Sequence, residues 1–179
     1  NGKNFTSLIR LFNKTALEVC EGQQWDMDFE DKPWIQEDEY LKMIELKTAV
    51  LLAGSLKLGA YIGGADEDSA QHLYEFGRFL GLSFQLQDDY LDLYGDPDVF
   101  GKKTGGDVLA NKKTYLLIKA LGLSDDKGKR HILDLMNTTE LNPEEKIKQV
   151  KLLFDQYNVP GHTLEKIREY NESATQYFN

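Results

Sequence analysis

Three aspartates stand within five residues, Asp88, Asp89 and Asp92, and Gln85 precedes them by one helical turn. Positions 85, 88 and 92 are three and four apart, so in a helix they line one face, with Asp89 about 100° round from Asp88. Carboxylates this close repel one another unless positive charge lies between them. Mg²⁺ prefers carboxylate and water oxygens and is usually held by one or two carboxylates together with substrate phosphate. Lysines follow the acids at Lys102, Lys103, Lys112 and Lys113. Acids to hold a metal and lysines to hold an anion suggest a metal-bridged phosphate or diphosphate ligand. A solvated acidic helix end is the bland alternative.

Two further polar groups continue apolar helical faces. Lys47 and Thr48 lie beside Ile44 and Leu51, and Gln23 and Asp26 extend the line of Phe12, Ala16 and Val19. A lysine so placed can also snorkel to solvent. Two common loop motifs fail. A Ca²⁺ loop starting at Asp96 would have Phe100 and Asp107 where an acceptor and a bidentate Glu are needed. A nucleotide-phosphate loop from Gly95 to Gly101-Lys102 has one residue too many, and Lys103 stands where Ser or Thr should be. His72, His131 and His162 are scattered and read as surface or packing residues, and Cys20 as an inert core residue.

The elements that must position these groups read as helices throughout. Apolar steps of three and four predict helices over about Thr6–Phe29, Glu37–Ile62 and Asp68–Tyr94. The faces these steps trace are Ile9, Phe12, Ala16, Val19 and Cys20, then Leu41, Ile44, Thr48, Leu51, Ser55 and Leu58, then Leu73, Phe76, Leu80 and Phe84. A Gly/Asp loop from Gly95 to Asp107 follows, and shorter helices are expected near Lys112–Leu121, Asp125–Met136, Pro143–Tyr157 and Thr163–Phe178. Asn142 suits the cap before Pro143. With no competing strand pattern, the chain reads as a single all-α region over residues 1–179.

At 179 residues and 20.5 kDa the chain is long enough for one sizeable core. Its 21 basic and 30 acidic side chains leave a net charge of −9, which argues against general nucleic-acid binding. One cysteine allows no internal disulfide and fits a reducing, cytoplasmic setting. The most apolar stretch, Ala49 to Ala65, is interrupted by Ser55 and Lys57 and reads as a core helix rather than a transmembrane segment.

The run Gly81-Leu82-Ser83-Phe84-Gln85-Leu86-Gln87-Asp88-Asp89-Tyr90-Leu91-Asp92, followed by Gly95-Asp96 and Gly101-Lys102-Lys103-Thr104-Gly105-Gly106-Asp107, resembles the trans-isoprenyl diphosphate synthases. Gly22-Gln23 with Asp26 is similar to that family's Gly-Gln-x-x-Asp motif, Lys47-Thr48 to its Lys-Thr pair, and Lys112-Lys113-Thr114-Tyr115 to a later match. The resemblance implies the C-terminal part of the isoprenoid synthase helical barrel and a prenyltransferase of isoprene biosynthesis, usually homodimeric, with Mg²⁺ as cofactor. Its substrates would be isopentenyl diphosphate and an allylic diphosphate. It further implies that Asp88, Asp89 and Asp92 form a metal-binding wall and that Lys47, Lys102 and Lys112 bind diphosphate. Gln85, Thr48 and the Lys47 carbonyl would stabilise a carbocation, Phe84 would pack near the isopentenyl group, and Gln23 and Asp26 would support the cavity.

Two departures stand out. Leu116 occupies a position that is often Pro in the family. The family's first aspartate-rich motif, which precedes the Gly-Gln-x-x-Asp segment, has no counterpart between Asn1 and Gln23, and Asp26, Asp28, Glu30 and Asp31 do not reproduce it. The expectation is a C-terminal half of a polyprenyl diphosphate synthase that is inactive by itself. The alternative is a non-catalytic helical partner in a heteromeric synthase.

Overall fold

The computed structural model describes residues 2–96, 101 and 104–178, with side chains from Phe5 onward. Among the described residues all regular structure is helical. The chain divides into two units. The first comprises Asn1–Asp31, Leu41–Gln85 and Ile167–Asn179; the second comprises Lys32–Tyr40 and Leu86–Lys166.

The first unit is built from helix α1 (Gly2–Glu30), the second half of α2 (Glu37–Ile44), a π-helical turn (Glu45–Ala49), α3 (Val50–Ile62) and the larger part of α4 (Glu67–Tyr94). The expected helix over Glu37–Ile62 is one continuous run, interrupted where Val50 N–H reaches back five residues to Glu45 O. Helix α1 packs on the π turn and on α3. Its buried residues are Thr15, Gly22 and Phe29, with Thr15 against Gly54 and Gly22 against the backbone of Lys47, rather than most of the face the apolar periodicity predicts. Phe12 is 61% exposed, Ile9 43%, and Ala16 and Cys20 also face outward. Cys20 is therefore a surface residue rather than a core one. The physical reason is approach distance. A Cβ added at Gly54 would come within 2.5 Å of Thr15 Oγ1, so small residues set the seam and the larger apolar groups cannot enter it.

The same holds on α4. Its inner positions in this unit are Ala70, Gly77, Gly81, Leu82 and Ser83, while the expected Leu80 and Phe84 are exposed. Ile167 and Ala174 close the unit from the C-terminal helix, and the Phe79 ring stacks at 5.9 Å on Tyr177.

The second unit has a conventional aliphatic core of Leu93, Val108, Leu116, Leu117, Leu121, Ile132, Met136, Val150, Phe154 and Val159, with other apolar neighbours. It is formed by the end of α4, a short turn α5 (Gly106–Leu109), α6 (Tyr115–Leu123), α7 (Asp126–Asn137), α8 (Pro143–Gln156) and the start of α9 (Val159–Gln176). Caps set the starts: Thr114 Oγ1 accepts from Leu117 N, Asp125 from Gly128 N and Asn142 from Glu145 N. The last helix begins four residues earlier than the pattern predicts. Pro160 sits in its first turn, where a missing N–H removes no helical bond.

Candidate functional site

In the first unit the polar residues gather on the π turn. Lys47 Nζ donates to Asp26 Oδ2 at 2.5 Å, and both side chains are about one-third exposed, at 35% and 36%. The next residue, Thr48, donates its hydroxyl to Gln85 Oε1 at 3.0 Å. Two electron-rich oxygens from different helices therefore stand side by side. Phe84, the neighbour of Gln85, is 61% exposed and Gln23 is also exposed. A π turn is a natural place for such a group, because it displaces successive side chains from the directions a regular helix would give them.

In the second unit the three aspartates have three different environments. Asp88 is exposed. Asp89 is only 4% exposed. Its Oδ2 accepts from the Tyr40 hydroxyl and from Tyr115 N–H, the latter at 2.9 Å. Asp89 thus ties the end of α4 to the start of α6. Tyr115 is in turn held through its hydroxyl by Glu37 Oε1 at 3.0 Å, and Lys119 donates to Glu37 Oε2 at 3.0 Å. Tyr40 and Glu37 carry no motif, and only the fold assigns them to this network.

Asp92 is half-buried. Its Oδ2 accepts Asp107 N–H at 3.0 Å, and its backbone carbonyl accepts Gly105 N–H at 2.6 Å. Burial raises the Asp92 pKa above the usual carboxylate value. The Asp107 N–H counters this, the Asp107 charge adds to it, and Lys112 opposes it. Gly105 sits at φ 84°, a left-handed conformation that suits glycine, and so lets the loop fold back onto Asp92. Lys112 is exposed and pairs with Asp107 Oδ1 at 2.7 Å. Lys102 lies outside the described residues.

The chemistry of this donor set suits a hard cation. Asp88 and Asp92 are carboxylates one turn apart, and the half-buried Asp92 beside Asp107 would be relieved by positive charge. Among the described residues no three His, Cys, Asp or Glu side chains gather closely enough to hold a metal by themselves. Two carboxylates completed by phosphate oxygens and water is the arrangement such a set allows.

A sequence model of the family described as "Polyprenyl synthetase" matches residues 2–153. The chain belongs to that family. The polyprenyl synthetase match is supported by a geranylgeranyl diphosphate synthase of Methanosarcina mazei, 41% identical over 143 residues, which are 80% of this chain and 42% of that protein. A crystal structure of a geranylgeranyl pyrophosphate synthase superposes with a TM-score of 0.90 at 42% identity, covering 99% of this chain and 55% of that one. The synthetase from Pyrococcus horikoshii reaches a TM-score of 0.91 at 28% identity, over 99% of this chain and 53% of that one. These likenesses bear out the all-α isoprenoid synthase fold. The chain spans about half the length of the polyprenyl synthetase relatives it matches. No described helix is long and apolar enough to cross a membrane.

Proposed function

We propose that the chain carries the second acidic motif and the cation-stabilising pair of a trans-prenyltransferase that condenses isopentenyl diphosphate with an allylic diphosphate. The observation that carries this reading is the Thr48 hydroxyl on Gln85 Oε1 at 3.0 Å. It presents two oxygen dipoles, suited to a developing carbocation, beside a lysine suited to a departing anion.

Each residue has a role derived from its own chemistry. An ammonium has three donors and Asp26 takes one from Lys47, which leaves donors for diphosphate oxygens. Lys112, and Lys102 by its motif, add positive charge for the same anion. Gln85 and Thr48 aim oxygen lone pairs at the allylic cation as the carbon–oxygen bond breaks, a preorganised electrostatic stabilisation. The exposed Phe84 ring offers an apolar face to the isopentenyl group and keeps water from the cation. Asp88 and Asp92 would hold a divalent ion of the Mg²⁺ kind, while Asp89 fixes the helix that presents them. When bound, that ion supplies counter-charge to the leaving diphosphate.

The exposed Phe5, Ile9 and Phe12 of α1 are apolar surface that the homodimer implied by the family resemblance could cover. The first aspartate-rich motif is not among these residues, so the 179 residues by themselves are expected to release no diphosphate above background. The test is incorporation of radiolabelled isopentenyl diphosphate by the whole synthase with Mg²⁺. Asp88→Ala should slow it by about 10²-fold or more, the usual cost of one transition-state stabiliser. Asp96→Ala should do far less. Full activity of the Asp88→Ala enzyme would remove the metal wall from the proposal, and full activity of the 179 residues alone would remove the need for a first motif.

A further inference from the structure

Two glycines and two polar side chains grip the π turn in the same order. On α1, Gly22 is followed four residues later by Asp26; on α4, Gly81 is followed four residues later by Gln85. A Cβ at Gly22 would overlap the backbone nitrogen of Lys47, and one at Gly81 would lie 2.5 Å from Ala49 Cα. One helical turn beyond each glycine comes a side-chain bond to the same turn. Asp26 accepts Lys47 Nζ at 2.5 Å, and Gln85 accepts the Thr48 hydroxyl at 3.0 Å. The two flanks thus hold consecutive residues, each with a backbone approach and a polar tie.

A π turn departs from the favoured helical hydrogen-bond ladder and persists where its surroundings over-determine it. A lysine on a flexible four-carbon stem also needs a partner to select one direction. We infer that Gly22 with Asp26 and Gly81 with Gln85 form a two-sided clamp that holds the π turn, and that Asp26 is a positioning residue acting on diphosphate through Lys47. The clamp rests on the geometry alone, whereas the positioning role rests on the function proposed above for Lys47. Asp26 touches neither substrate nor reacting atoms in this scheme. It restrains the ammonium at one point, so that the remaining donors face the anion in one arrangement.

The two parts are tested separately in the whole synthase. Asp26→Asn keeps the size of the side chain and removes its charge. It should lower kcat about tenfold to a hundredfold, the scale of misplacing a reacting group, with the KM for the allylic diphosphate unchanged or lower. Asp26→Glu should recover most of the loss. A wild-type kcat for Asp26→Asn, or a loss explained wholly by a smaller active fraction on titration, overturns the positioning role. The clamp is read by amide hydrogen exchange at Val50, whose N–H closes the π turn onto Glu45 O. Gly22→Ala and Asp26→Asn should each speed that exchange about tenfold without a matching change across the second unit. If Gly22→Ala does not fold, Asp26→Asn carries the measurement; unchanged exchange in it overturns the clamp. A wild-type enzyme that incorporates no isopentenyl diphosphate, yet shows the exchange pattern, overturns the proposed function and leaves the clamp standing.

Discussion

The two units reach stability by different packing. In the first, backbones approach closely at Gly22, Gly77 and Gly81, the Thr15 side chain lies against Gly54, and large apolar side chains such as Phe12 and Phe84 point outward. In the second, Leu116, Ile132, Val150 and Phe154 interlock as a filled aliphatic core. Close backbone contact holds polar groups at defined separations, as it does for Lys47 with Asp26 and Thr48 with Gln85. An aliphatic core instead provides a stiff support from which Asp89 can anchor the end of α4 through Tyr115 N–H. Both units orient polar groups, the first across close backbone seams and the second from the rim of a filled aliphatic core.

The same chemical change should separate the two regions most sharply. Leu116→Ala removes a side chain that is 2% exposed and should cost about 2–5 kcal/mol, whereas Leu17→Ala, at 71% exposed, should change stability by no more than about 0.5 kcal/mol. Denaturant unfolding of both variants checks this, and similar costs would erase the contrast.

A smaller effect, opposite in sign at two sites, comes from adding one methyl group. Gly81→Ala gains about 1 kcal/mol of helix propensity but meets Ala49 Cα at 2.5 Å, so it should destabilise by about 1–3 kcal/mol overall. Gly59→Ala has nothing within 4 Å and should stabilise by up to about 1 kcal/mol. Thermal melts decide it; a stabilised Gly81→Ala chain would show that the close approach is dispensable.

The smallest effect concerns Lys57, a buried lysine of the first unit. Lys57 Nζ donates to Glu67 Oε1 at 2.8 Å and to Gln71 Oε1 at 2.6 Å. Burial works to lower its pKa, but the Glu67 hydrogen bond and the charges of Tyr61 and Glu67 leave it raised above 10.5. The Glu67 carboxyl is lowered from 4.5, first by its bond from Lys57 and then by that from Tyr61. A raised lysine stabilises fully below 10.5 and loses that contribution as pH climbs through its folded value. A lowered carboxylate stabilises fully above 4.5 and loses it as pH falls through its folded value. The pair should therefore contribute fully between those limits, and Glu67→Gln should flatten both ends of a melting-temperature profile. An unchanged profile would mean that the pair contributes nothing to folding.

Particular residues show what periodicity can and cannot reach. The helices over 37–62 and 67–94 and the Asn142 cap follow from apolar spacing and capping chemistry, and the structure has them within a few residues. The buried face of α1 does not follow, since a scan for large apolar groups passes over Thr15 and Gly22. The π turn is equally silent in sequence, because an i→i+5 bond leaves the run of helix-forming residues looking regular. Asp89 belongs visibly to an acidic motif, yet its hydrogen bonds to Tyr40 and Tyr115 depend on residues 49 and 26 positions away.

The sequence by itself determined the helical class, the longer helices to within a few residues and the residue types able to bind a metal and an anion, because helix spacing and side-chain chemistry are local properties. Only the tertiary structure decided which helix faces close, where the π turn falls and how Asp88, Asp89 and Asp92 divide into exposed, anchored and half-buried roles. Those outcomes depend on contacts between distant segments, where a few tenths of an ångström between backbones decide what fits.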